Sequence, residues 1–111
     1  MIRQTYNAMI SQPMAGKTEE EIIAAREKAN AFLEGEEYKV VNTPFTDERY
    51  ELENMVDEGV VNIPLYYFAN SVLNMSKCHV AYFCKGWEDE RGCRLEHEIA
   101  EAYGLKIIYE E

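Results

Sequence analysis

Residues 78–84, CHVAYFC, form an almost unbroken apolar run of strand length. A strand with one wet face alternates polar and apolar side chains, so a continuous run marks a strand covered on both faces, the condition met in parallel sheets flanked by helices. This requirement governs the rest of the chain. Helical segments must cover both faces, and 111 residues provide for one such domain.

The flanking segments supply that cover. Residues 6–11 (YNAMIS) read as a short strand ending at Gln12-Pro13, because proline lacks the N–H that a central ladder needs. Thr18 with Glu21 three positions on makes a capping box, and Ile22, Ala25, Ala29 and Phe32 or Leu33 follow at helical spacing until Gly35. Residues 38–43 (YKVVNT) are a second strand, stopped by Pro44. Residues 45–62 have a weak acidic pattern containing Gly59, compatible with a short helix or an ordered loop. Pro64 fits the first position of a helix running to Lys77, with Leu65, Phe68, Val72 and Met75 or Ser76 as its buried stripe. After the apolar strand, a helix is predicted from about Gly92 to Tyr103, with Leu95, Ile99 and Ala102 facing the core and Gly104 as its stop. Residues 105–109 (LKIIY) form the last strand.

Strands alternating with helices specify an α/β doubly wound parallel sheet of about four strands, flavodoxin-like in order 2-1-3-4, with helices on both faces. Ligands of such sheets bind beyond the carboxyl ends of the strands, at the point where strand order reverses. That rule brings together the QPMAGK loop (12–17) and the GWEDERG loop (86–92).

Charge narrows the partners. Twenty-one acids against eleven bases leave a formal charge of −10, with no basic stripe, so a nucleic-acid polymer is repelled. A small anion can still bind through local groups. Three cysteines, Cys78, Cys84 and Cys93, sit in or beside predicted core elements; an odd, buried set argues against disulfides and for a reducing cytoplasm. The opening residues have no apolar run long enough for a signal peptide or membrane span. Neither CxxC nor HxxxH spacing accompanies His79 and His97, and His97 falls on the predicted helix face away from the core, so no metal and no cofactor is expected.

Ser11 to Thr18 imitates a nucleotide-triphosphate loop, GxxxxGK[ST], with Ser11 in place of its first glycine. Pro13 removes one N–H from any phosphate cradle, and the third strand ends in Phe83-Cys84 where a magnesium-binding Asp would be needed. A looser role remains, in which Gly16 lets backbone approach a ligand, beside the plain reading as a cap and turn.

Between Gly86 and Gly104 six carboxylates fall within nineteen positions. Most such clusters are solvated faces. On the predicted helix Glu98 shares its flank with Arg94 and Glu101, an exposed ion-pairing arrangement. Glu96 shares its flank with Gly92, Ala100 and Tyr103 and has no cation on its own helix, which favours it over Glu98 as the acid a ligand uses. Repulsion among Glu88, Asp89, Glu90 and Glu96 is expected to raise at least one of their pKa values.

The segment Gly92-Cys-Arg-Leu-Glu96-His-Glu-Ile-Ala100-Glu-Ala-Tyr-Gly104, followed by an apolar strand, resembles the G-[TS]-x-x-E-x-G-x-A-x-x-x-G segment of the nucleoside 2-deoxyribosyltransferase superfamily. Residues 6–16 are similar to the strand and ISGPM-x-G loop of a compact, largely uncharacterised branch common in phage and prophage genomes, which also carries a GWEDSRG-like loop. The resemblance implies a carboxylate nucleophile at Glu96, attacking the anomeric carbon of a deoxyribosyl group, and a second acid at Glu90 or Asp89 to protonate the leaving base. It further implies substrate contacts from Tyr6, Ser11, Gln12, Pro13, Met14, Gly16, Gly86, Trp87 and Gly92, a small nucleoside or nucleotide ligand, and a homo-oligomer. Two positions depart from the pattern: Glu98 replaces a small residue after the nucleophile, and Gln12 stands where glycine is common. The same scaffold without chemistry would be a nucleotide-binding or sequestering protein. For Trp87, bracing of its loop competes with stacking on a base. Cys93 reads as a small packing residue, and Asn70 and Asn74 as solvent-facing positions.

Overall fold

The computed structural model describes residues 6–41 and 52–111. Its elements run in the order β1 (Tyr6–Ser11), α1 (Glu19–Gly35), β2 (Tyr38–Val40), α2 (Leu52–Asp57), α3 (Ile63–Met75), β3 (Val80–Phe83), a 3₁₀ turn (Trp87–Asp89), α4 (Arg91–Ala102) and β4 (Lys106–Tyr109). The four strands form one parallel sheet in the order β2-β1-β3-β4, with Ala8 paired to Val40 on one side and to Val80 on the other. This is the flavodoxin-like arrangement expected from the sequence. β2 is shorter than the six residues expected; positions 42–44 and 45–51 lie outside the described residues. No described helix is long and apolar enough to cross a membrane.

Strand alternation divides the core into two layers. Ala8, Ile10, Val80 and Tyr82 meet Ala29 and Leu33 of α1 on one face. Met9, Ala81 and Phe83 meet Met75 of α3 and Ala100 of α4 on the other. All four residues of β3 are buried, as a continuously apolar strand requires.

Caps set the helix ends. The Thr18 hydroxyl accepts from Glu21 N–H while Thr18 N–H donates to the Glu21 carboxylate, both at 3.1 Å, completing the capping box. α3 begins one residue before Pro64, because Asn62 Oδ1 accepts from Leu65 N–H at 3.1 Å and so becomes the cap. At the end of α4, Gly104 takes φ +75°, and Leu105 N–H bonds the Ala100 carbonyl, the left-handed stop that the glycine predicts. α1 instead runs through Gly35, and the positive φ of 67° falls on Glu37.

Two helices sit differently from their hydrophobic patterns. α4 buries Cys93, Glu96 and Ala100, while Leu95 is 39% exposed and Ala102 lies outside. Small side chains let the helix approach the sheet closely, and polar partners wait for Glu96, so packing overrides the apolar wheel. α3 buries Asn70 and Met75 and leaves Leu65 exposed; Asn70 donates to the Tyr66 carbonyl at 3.0 Å, one turn back on its own helix.

Candidate active site

Register delivers Ser11 to Glu96. Ser11 lies two residues after Met9 on β1, hence on the α3/α4 face, and it pairs with Phe83 at the carboxyl edge. There Ser11 Oγ donates to Glu96 Oε1 at 2.8 Å, with Ser11 1% and Glu96 8% exposed. A cavity of about 580 Å³ opens beside this pair, bounded by the loop after β1, the start of α4 and one side of α3. That is large enough for a nucleotide-sized ligand.

The two loops are stitched together. Cys84 N–H donates to the Ser11 carbonyl at 2.9 Å, and Met14 N–H donates to Glu90 Oε2 at 2.8 Å. Gly86 adopts φ +90°, and a Cβ there would stand 3.6 Å from Pro13 Cγ, so the turn needs glycine for its backbone conformation more than for space. Glu90 reaches the cavity wall; Asp89 is exposed and does not.

Burial is the main force on Glu96 and holds its carboxyl above the usual carboxylate range. Hydrogen bonding from Ser11 and Ser71 opposes that shift, the charge of Glu90 adds to it and Arg26 opposes it. The expected rise therefore occurs, but desolvation leads and repulsion is secondary. Cys93, also buried beside Ser11, has its thiol pushed up to about 12 by burial, which makes it a packing group and not a nucleophile.

Other predicted contacts divide by position. Gln12, Met14 and Gly92 line the cavity, and Ser11 touches its carboxylate. Tyr6 lies at the opposite end of β1, with its ring edge-on to His79 at 5.0 Å between centroids. Pro13, Gly16, Gly86 and Trp87 are not on the cavity wall: Pro13 is buried and Gly16 is an exposed turn position. Trp87 stacks on His97 at 4.1 Å and lies 5.5 Å from Phe83, so it braces the loop. His97 accordingly faces the core, contrary to its predicted outward position; its ring also meets Tyr109 Oη at 2.6 Å and Glu101 at 2.9 Å. Glu98 is exposed and away from the cavity, and Arg94 ties α4 to the preceding turn by donating to the Glu88 carbonyl at 3.0 Å.

The triphosphate-loop imitation fails on its donors. Pro13 has none, Met14 N–H is held by Glu90, Lys17 N–H by the Met14 carbonyl and Thr18 N–H by Glu21. That leaves too few amides for a cradle. Among the described residues no three His, Cys, Asp or Glu side chains gather as a metal site.

The cavity also includes residues that the sequence did not assign to the site. Arg26 of α1 and Tyr67, Phe68, Ser71 and Asn74 of α3 border it. Asn74 is half-buried there instead of facing solvent. Signals existed: Ile22, Arg26, Ala29 and Leu33 follow helical spacing, which puts a cation inside a buried stripe, and Ser71 falls one turn from Phe68 and Met75.

No curated protein and no solved structure matches the chain. The family model for DUF4406, a domain of unknown function, matches residues 6–109 and thus nearly the whole chain, which belongs to the DUF4406 family.

Proposed function

We propose that this protein cleaves or transfers the N-glycosidic bond of a nucleoside or nucleotide, with Glu96 as nucleophile. The observation that carries the reading is a carboxylate only 8% exposed, at the carboxyl edge of the sheet and on the wall of a cavity of about 580 Å³. An acid so placed is costly to bury unless its charge is used.

The chemistry balances with groups at hand. Ser11 donates to Oε1, which fixes the carboxylate and favours its ionised form. Attack on the anomeric carbon forms a C–O bond as the C–N bond breaks, and the electron pair leaves with the base. In this scheme Glu90 delivers the proton: one of its oxygens accepts from Met14 N–H, and the other serves the leaving group. Water or a second base then opens the glycosyl ester, with Glu90 taking up the proton. Asp89, outside the cavity, has no part in this scheme. Glu98, the departure next to the nucleophile, is outside the cavity as well.

Glu96→Ala should abolish release of free base from a panel of deoxynucleosides and nucleotides while circular dichroism stays unchanged. Undiminished release by that variant would remove the proposal. Tight binding of the panel to the wild type, with no base released, would select a sequestering role instead.

A further inference from the structure

Arg26 borders the same cavity as Glu96 and is held there by Gln12. Gln12 Nε2 donates to the Ile22 carbonyl at 2.6 Å, and Gln12 Oε1 accepts from Arg26 Nε at 3.1 Å. Only 6% of Gln12 is exposed, so the clamp works out of water, where a hydrogen bond restrains more firmly. One face of the guanidinium fork is thereby fixed. At the other, Arg26 Nη1 is buried with no hydrogen-bond partner among the described residues. Leaving a buried charged donor unsatisfied is costly, and a ligand group that completes its hydrogen bonding would offset that cost.

We propose that Arg26, oriented by Gln12, receives an anionic phosphomonoester on the ligand, so that the preferred substrate is a deoxynucleoside monophosphate and not the neutral nucleoside. The choice of base-bearing ligand rests on the N-glycosidic reading above; the recognition of phosphate does not. A planar guanidinium offers paired donors matched to phosphate oxygens. The need for such a group is acute here, because the protein carries a formal charge of −10 and Glu90 and Glu96 share the cavity wall. Burial lowers the Arg26 pKa while the charge of Glu96 opposes that shift, which places the two in one electrostatic environment. Gln12 gains a role by the same geometry. A glycine at that position, as in the resembling sequences, would leave Arg26 without its clamp.

Calorimetry on the full chain tests this, using Glu96→Gln to prevent turnover. The probes are deoxynucleoside 5′-monophosphates, the matched neutral deoxynucleosides, 2-deoxyribose 5-phosphate and inorganic phosphate. Monophosphates should bind about tenfold or more tightly than the matched nucleosides, the range of a charge-assisted contact. Adding Arg26→Met should bring that ratio close to one, while Arg26→Lys keeps part of it and Gln12→Ala reduces it. Loss of 2-deoxyribose 5-phosphate binding in parallel identifies phosphate on the sugar as what Arg26 reads. Binding of inorganic phosphate alone, with no preference for nucleotide over nucleoside, would overturn the assignment. Equal binding of nucleotide and nucleoside, an unchanged ratio in Arg26→Met, or no binding of any probe would overturn it too. If Arg26→Met fails to fold, Arg26→Lys and Gln12→Ala decide, and an unchanged ratio in both counts against the proposal. Base release at equal rates from nucleosides and nucleotides would defeat this inference alone; Arg26-dependent nucleotide binding with no base release would defeat the glycosidic reading alone.

Discussion

On the α1 face of the sheet, Ala8, Ile10 and Tyr82 meet Ala29 and Leu33 in an apolar layer. On the opposite face Met9, Ala81 and Phe83 begin a layer of the same kind, but at the carboxyl edge Ser11 and Glu96 take its place. The same strands serve both faces. The difference lies in the helices: α1 buries Leu33 completely, whereas α4 turns Leu95 partly outward and buries a carboxylate. The layer around Leu33 stabilises the fold, although Arg26 of the same helix borders the cavity, and the other layer gives up apolar burial to hold a carboxylate there. Stability and chemistry should therefore respond to substitution separately.

The largest separation is expected from Glu96→Ala. Removing the proposed nucleophile should lower turnover by about a thousandfold or more, measured as base released per folded molecule. Leu33→Ala attacks the other face, where it should cost about 2–5 kcal/mol of stability in urea unfolding and leave turnover per folded molecule unchanged. Parallel loss of both properties in either variant would break the contrast between the faces.

Ser11→Ala sharpens the contrast at a single hydrogen bond. Loss of a donor to a buried carboxylate should reduce turnover by about tenfold, from about 1–3 kcal/mol of lost interaction. The acidic limb of the pH–rate profile should also move to higher pH, because Ser11 favours the ionised form of Glu96. A rate that falls with no movement of that limb would mean that Ser11 acts on structure and not on the charge.

The smallest effect concerns stability and pH. Burial raises the Glu96 pKa in the folded state, so the native protein holds this proton more tightly than the unfolded chain. The stability contributed by the protonated form is complete below the unfolded pKa and is lost as pH rises through the folded value. Glu96→Gln, which is neutral throughout, should thus melt higher than wild type near ~pH 8, with the gain vanishing below ~pH 4. Thermal melts across that window decide it; a gain that persists at low pH would contradict the assignment to ionisation.

Most of the architecture was legible because it rests on local rules. The apolar strand at residues 78–84 demanded cover on both faces, Thr18 with Glu21 capped a helix, and Gly104 ended one. The site was legible where chain order alone brought its parts together, as for Ser11, Gln12, Met14, Glu90 and Gly92 at the carboxyl edge. The rotation of α4 was not, since an apolar wheel assigns Leu95 inward and has no term for a carboxylate with hydroxyl partners. His97 was missed for the same reason, as its burial depends on Trp87, Phe83 and Tyr109 from other elements. Arg26 lay in plain view within its helical stripe, but its importance depends on Gln12, fourteen residues away in the chain.

Covalent chemistry at Glu96 is the central claim, and intact-protein mass spectrometry after rapid mixing with deoxynucleosides and their monophosphates tests it most directly. The expected result is a deoxyribosyl mass adduct on the peptide containing Glu96, formed together with free base and absent from Glu96→Gln. Base release without any adduct in the wild type and undiminished in Glu96→Gln, or an adduct mapped to another residue, would contradict it.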